Sequence, residues 1–265
     1  MDAKRATDIT VLSHVLVLFG LSLSGSLVGI WSDIAYLAAF ILPTVFALLL
    51  GRRAGAQTAR LAMSSADTAL MLPVIFPTVL ITLGISALTS FALKFTGAAP
   101  EVTVYETLTE NLIRHALLPA ILEEAAFRYL PMSLFGKSAR AECIFVSTVS
   151  FALIHCSLFQ IPYALFAGFA FILLNLIADS PLPSLILHAV NNTVSVLSIF
   201  YKTELPIIIA VAALSLISAV FIFISRKAYV EKIKAIFGKK RKLLLSYSML
   251  IIVIPTLLVA ILNLL

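Results

Sequence analysis

Nine apolar runs dominate this chain, each close to the roughly 20 residues a helix needs to cross about 30 Å of hydrocarbon. They fall near Ile9–Ile30, Ile34–Leu50, Ala69–Phe95, Leu108–Phe135, Ala141–Phe159, Ile161–Ala178, Leu182–Tyr201, Leu205–Ser225 and Leu243–Leu265. Lipid offers no hydrogen bonds, so a run of this length must satisfy its own backbone as a helix. The fold predicted is all-α, a polytopic transmembrane bundle of eight to nine spans in one integral membrane domain over residues 1–265. Composition agrees: 61% of residues are apolar and 12% charged, against roughly 45–50% and about 25% in soluble domains. Too little polar surface remains to cover a water-facing globule, which excludes an ordinary soluble enzyme, a disordered regulator and a fibrous protein. The first run follows Lys4 and Arg5 as a signal peptide would. It is longer than a typical apolar core of such a peptide and no clear small-residue cleavage site follows, so it is read as a retained span.

The net charge of +6 comes from basic residues placed between the apolar runs. With the N-terminus in the cytoplasm, Lys4, Arg5, Arg52, Arg53, Arg60, Lys137 and Arg140 lie inside, and the segment from Arg226 to Lys242 adds eight more. Only Lys94, Arg114 and Lys202 lie outside, beside Glu101, Glu106 and Glu110. Such a positive-inside bias sets orientation and gives no reason to invoke nucleic acid. The basic segment, where Ile233, Ile236 and Phe237 stand among Lys232, Lys234, Lys239 and Lys240, reads either as an orienting loop or as a short interfacial helix. Cys143 and Cys156 lie in apolar sequence and form neither a disulfide framework nor a metal knuckle.

Ionisable groups inside a span are costly unless paired or wet, so each marks a candidate site. Outside the start of the fourth run, five stand out deep in apolar sequence: Glu123, Glu124, Arg128, His155 and His188. Glu124 and Arg128 are spaced i, i+4 on one helix face and can pair. Glu123 points about 100° away and needs water, a proton or a partner from another span. His155 follows Phe151 by one turn; alone, it reads equally as a hydrogen-bonded interfacial residue. His188 and Asn192 share a face at i, i+4, which suits a site or interhelical glue alike. Together the residues supply a spare carboxylate, two imidazoles and a carboxamide on three helices. That set can activate water and stabilise a developing negative charge, the two needs of amide hydrolysis.

Glu123-Glu124-x-x-x-Arg128, then Phe151-x-x-x-His155, then His188-x-x-x-Asn192 resembles the CPBP family. These are intramembrane glutamic endopeptidases, among them the CAAX prenyl proteases and bacterial relatives linked to bacteriocin self-immunity. The resemblance covers about Leu117 to Leu197, within a motif-bearing core near residues 108–201. Gly168 and Pro183-Ser184-Leu185 also fit the family's spacing, while Ile172 stands where a second glycine is often found. The resemblance implies that Glu123 and His155 activate a water for attack on a peptide carbonyl, and that His188 and Asn192 donate to the oxyanion. It also implies that Glu124 and Arg128 hold the helix face, with no metal and no cofactor required. The substrate would be a peptide or membrane protein met within the bilayer, and the location the plasma membrane of a prokaryote. A zinc protease, a proton-coupled transporter using Glu123, His155 and His188 as a relay, and a non-catalytic immunity or scaffold protein are the alternatives.

Depth sets a condition on all of these. At about 1.5 Å per residue Glu123 lies ~21 Å from Lys137, whereas His188 sits close to Asp179 near the inner end of its span. The groups meet only if helices tilt or kink, and Pro119 and Pro131 flank the two carboxylates.

Overall fold

The computed structural model describes residues 1–94, 104–237 and 249–262. Glu101, Lys239, Lys240, Lys242 and the start of the ninth apolar run lie outside these. Every regular element among the described residues is helical. In chain order they are α1 (Ala3–Gly25), α2 (Ile30–Arg53), α3 (Ser65–Leu93), α4 (residues 108–135), α5 (Arg140–Leu153), α6 (Ile161–Ala178), α7 (Leu182–Tyr201), α8 (Glu204–Ile224), α9 (Arg226–Phe237) and α10 (Met249–Leu262). Six of them, α1, α2, α3, α6, α7 and α8, are long and apolar enough to cross a membrane. The chain is therefore an integral membrane protein. The fifth apolar run yields a shorter helix than its length suggests, because α5 stops at Leu153 after 14 residues. The basic segment after α8 is not a loop over residues 226–237 but the helix α9.

Polar contacts sort the helix ends into two groups. At one end Lys137 Nζ meets Asp179 at 2.7 Å, and the Ala59 N–H donates to Ser133 Oγ at 2.9 Å. There too Lys232 pairs with Asp67 and the Tyr229 hydroxyl donates to the Leu70 carbonyl. The start of α3, the end of α4, the α6–α7 turn and α9 thus gather together. Arg114 pairs with Asp33 at the opposite end, where α2 and α4 begin. The charged helix α4 therefore runs the length of the bundle.

Helix α4 departs from α-helical pitch twice, as π turns over Leu112–Leu117 and Ala125–Tyr129. Each ends two residues before a proline, Pro119 or Pro131. A proline has no N–H to donate and its ring crowds the carbonyl four residues earlier; a wider turn moves that carbonyl aside. In step with this, the Leu118 N–H reaches back five residues to Ile113 and the Leu130 N–H five residues to Ala125.

The depth condition is met, since Glu124 of α4 and His188 of α7 lie in hydrogen-bond contact at 2.8 Å. Asp179 adopts left-handed backbone at φ 53° and ends α6. Ser180 follows, fully buried, and Pro181 leads into α7.

Gly168 lets α5 and α6 cross closely. A Cβ there would stand 3.3 Å from both Cα and O of Thr148 and 3.2 Å from Phe151 Cδ1. Ile172, one turn on, is fully buried and packs into the core without needing that approach.

Candidate active site

Glu124 is the buried centre of the site. Its Oε1 lies 3.0 Å from Arg128 Nη1 and 2.8 Å from His188 Nδ1, and its Oε2 accepts from the Ser184 hydroxyl. The i, i+4 ion pair expected from the sequence is present, but Glu124 does more than neutralise Arg128. It also fixes the imidazole of another helix.

Ser184 is held in turn by Asn175, whose Nδ2 donates to Ser184 Oγ at 2.6 Å while its Oδ1 accepts the Ser184 N–H at 2.9 Å. Both side chains are fully buried. This Asn175–Ser184–Glu124 relay spans α6, α7 and α4. Sequence spacing held half of it, since Ser184 is one helical turn before His188 and shares its face. Asn175 gives no local signal.

Arg128 is fully buried and lies under aromatic rings. Its Cζ stands 3.8 Å from the centroid of Phe151 and 5.1 Å from that of Phe171, distances at which a desolvated cation is attracted by a ring face. Phe151 is the hub of this layer. Its ring is met edge-on by His155 at 5.2 Å and by His188 at 5.7 Å between centroids. The aromatic that sequence placed one turn before His155 thus touches the cation and both imidazoles.

Glu123 projects differently, as the 100° offset requires. Its carboxylate is 14% exposed and its Oε2 faces His188 Nε2 at 3.8 Å. It is close enough to act electrostatically on His155, Tyr163 and Tyr36. His155 lies just past the end of α5 and its Nδ1–H donates to the Phe151 carbonyl at 2.9 Å. That bond caps an orphan carbonyl of the last turn and leaves Nε2 as the acceptor nitrogen.

The structure thus brings Glu123, Glu124, Arg128, Phe151, His155 and His188 into one cluster. Asn192 is on the same helix as His188, one turn further, with its Oδ1 3.4 Å from the Nδ2 of Asn191. Asn191, which sequence reading passed over, accepts from Thr82 of α3 at 2.7 Å and ties α7 to a second neighbour. Among the described residues no group of three or more His, Cys, Asp and Glu side chains is disposed to hold a metal ion.

Residues 106–194 match the family model described as type II CAAX prenyl endopeptidase Rce1-like. The segment is Rce1-like. It runs from just before α4 into α7 and holds all seven residues of the three motifs, so the CPBP resemblance read from those motifs is borne out over about a third of the chain. No curated protein and no solved structure matches the chain. The Rce1-like family is a family of proteases, and in this chain the matching segment lies among helices apolar enough to span a membrane.

Proposed function

We propose that this chain is an intramembrane endopeptidase that hydrolyses a peptide bond with a water activated by Glu123 and His155. The observation that carries this reading is the way the two glutamates divide around His188. Glu124 holds Nδ1 at 2.8 Å, and Glu123, the more accessible carboxylate, faces Nε2 at 3.8 Å. One acid orients the ring and the other is left for chemistry.

The steps follow from which atoms are free. His155 has its Nδ1–H committed to Phe151, so Nε2 can accept a hydrogen bond from water. Glu123 takes the water's proton, the hydroxide adds to the carbonyl carbon, and the carbonyl oxygen becomes an oxyanion. Collapse of that intermediate breaks the C–N bond as Glu123 returns the proton to the departing amine. His188 donates from Nε2 when the ring carries both protons. In that state the charges of Glu123, Glu124, Arg128 and His188 sum to zero, which suits a low-dielectric interior. Asn192 adds a second donor one turn away. Glu124, Arg128, Ser184 and Phe151 hold these groups in place.

The wider setting is proposed with it: eight or nine spans, an N-terminus in the cytoplasm on the strength of the Lys/Arg bias, and the plasma membrane of a prokaryote. The substrate is a peptide or membrane-anchored protein, and the family's description makes a prenylated C-terminal tail the first to try. The test is cleavage of an internally quenched farnesylated peptide by the purified chain in proteoliposomes. Glu123→Gln should lower kcat at least about 100-fold, the scale of a lost general base, with the protein still folded by circular dichroism. Undiminished turnover by that variant would remove Glu123 from the chemistry.

A further inference from the structure

Pro131 leaves two consecutive carbonyls of α4 short of donors. The Phe127 carbonyl would take its α-helical bond from residue 131, which has no N–H. The Ala126 carbonyl would take its bond from Leu130, but in the π turn that N–H goes to Ala125 instead. Its next candidate, five residues on, is Pro131 again. Buried carbonyls are nearly always satisfied from somewhere, and here the donors come from two other helices.

His14 of α1 places Nε2 3.1 Å from the Ala126 carbonyl, and Ser147 of α5 donates its hydroxyl to the Phe127 carbonyl. Both side chains are fully buried. A carbonyl only accepts, so His14 carries its proton on Nε2. Its ring also packs on Phe127, with centroids 4.4 Å apart. The π turn so clamped, Ala125–Tyr129, is the one that links Glu124 to Arg128.

We propose that His14 and Ser147 are positioning residues: by supplying the donors that the proline and the π turn deny to Ala126 and Phe127, they hold the widened turn that sets Glu124, and hence His188, relative to Glu123. They touch neither substrate nor the reacting atoms. The inference rests on the peptidase reading for its effect on turnover, but the clamp itself can be tested without any turnover.

The first arm uses the farnesylated peptide and the full chain in proteoliposomes, with Glu123→Gln as the control for the peptidase reading. His14→Phe keeps the ring and drops the donor; kcat should fall at least tenfold with KM within about twofold. His14→Gln, whose amide nitrogen reaches the Nε2 position, should recover to within about threefold of the parent, and His14→Asn, which reaches only Nδ1, should not. Ser147→Ala should behave as His14→Phe and Ser147→Thr as His14→Gln. Control loss with full activity in His14→Phe overturns the clamp and spares the peptidase.

The second arm needs no activity. The chain has four histidines, so 15N-histidine solid-state NMR, assigned by difference with His14→Gln, reads the His14 tautomer. A proton on Nε2 supports the clamp, and a proton on Nδ1 alone overturns it. In thermal unfolding, His14→Phe should lower the melting temperature in the parent and distinctly less in a Pro131→Ala background, where the restored N–H supplies a donor within α4. An equal drop in both backgrounds overturns the proposal, since a packing role for His14 would not depend on residue 131. If the peptide is never cut, or Glu123→Gln cuts it as well as the parent, the peptidase reading fails and this arm alone decides the clamp.

Discussion

Arg128→Met tests whether Glu124 and Arg128 act as one unit. The guanidinium is fully buried, 3.0 Å from Glu124 and 3.8 Å above Phe151. Removing one member of a buried ion pair costs about 3–5 kcal/mol because the remaining charge has lost its partner. The loss should fall at the lower end here. Glu124 keeps the Ser184 hydroxyl and His188 Nδ1, and bonds of this charge-assisted kind contribute about 1.5–3 kcal/mol each. A single-variant loss of about 3 kcal/mol follows, and Glu124→Gln should cost about the same by leaving Arg128 unpaired. The double variant Arg128→Met, Glu124→Gln removes both charges, and its amide still accepts from Ser184. It should cost about 3 kcal/mol in all, not 6, a coupling of about 3 kcal/mol at the upper end for contacting residues. The assay is reversible unfolding in mixed micelles by SDS titration, followed by circular dichroism. Strict additivity of the two losses would show that the pair is not a unit and that the aromatic cover alone holds Arg128.

Three further outcomes can be checked. Ser184→Ala removes a buried donor from Glu124 and strands Asn175 Nδ2, so it should destabilise by about 1.5–3 kcal/mol in the same titration. Gly168→Ala presses a methyl against the Thr148 backbone; since backbone cannot swing aside, it should cost about 1–3 kcal/mol and lower kcat by displacing Phe151. Cleavage of the farnesylated peptide should survive a strong chelator unchanged. Loss restored by added Zn²⁺ would instead favour a metalloprotease.

How much of this was legible depends on whether a contact is local in sequence. The i, i+4 pairing of Glu124 with Arg128 and the divergence of Glu123 are set by helical pitch alone, and the structure keeps both. The limits of α4, α6 and α7 were readable for the same reason, since long apolar runs leave a helix few places to stop. The end of α5 was not: Phe159 is apolar enough to continue, yet Cys156 takes left-handed backbone and His155 caps the helix from outside. Asn175 meets Ser184 only because Asp179 turns the chain back between them. His14 is far from every motif, and a lone histidine in an apolar run carries no label. The available clue was indirect, a proline placed so that two carbonyls of α4 needed donors from elsewhere.

Helix α7 is tied to α4 and to α3 by bonds of unequal strength. Toward α4 it holds a carboxylate, and such ionic contacts are about twice as strong as neutral ones. Toward α3 it has the neutral Thr82–Asn191 bond and, nearer the α6–α7 turn, a void of about 20 Å³ between Met71 and Leu187, room for about one water. The bundle therefore has a soft seam and a hard one. For a chain that cuts peptides, as proposed, parting α7 from α3 would break one neutral hydrogen bond, whereas parting it from α4 would break the contact between acid and imidazole.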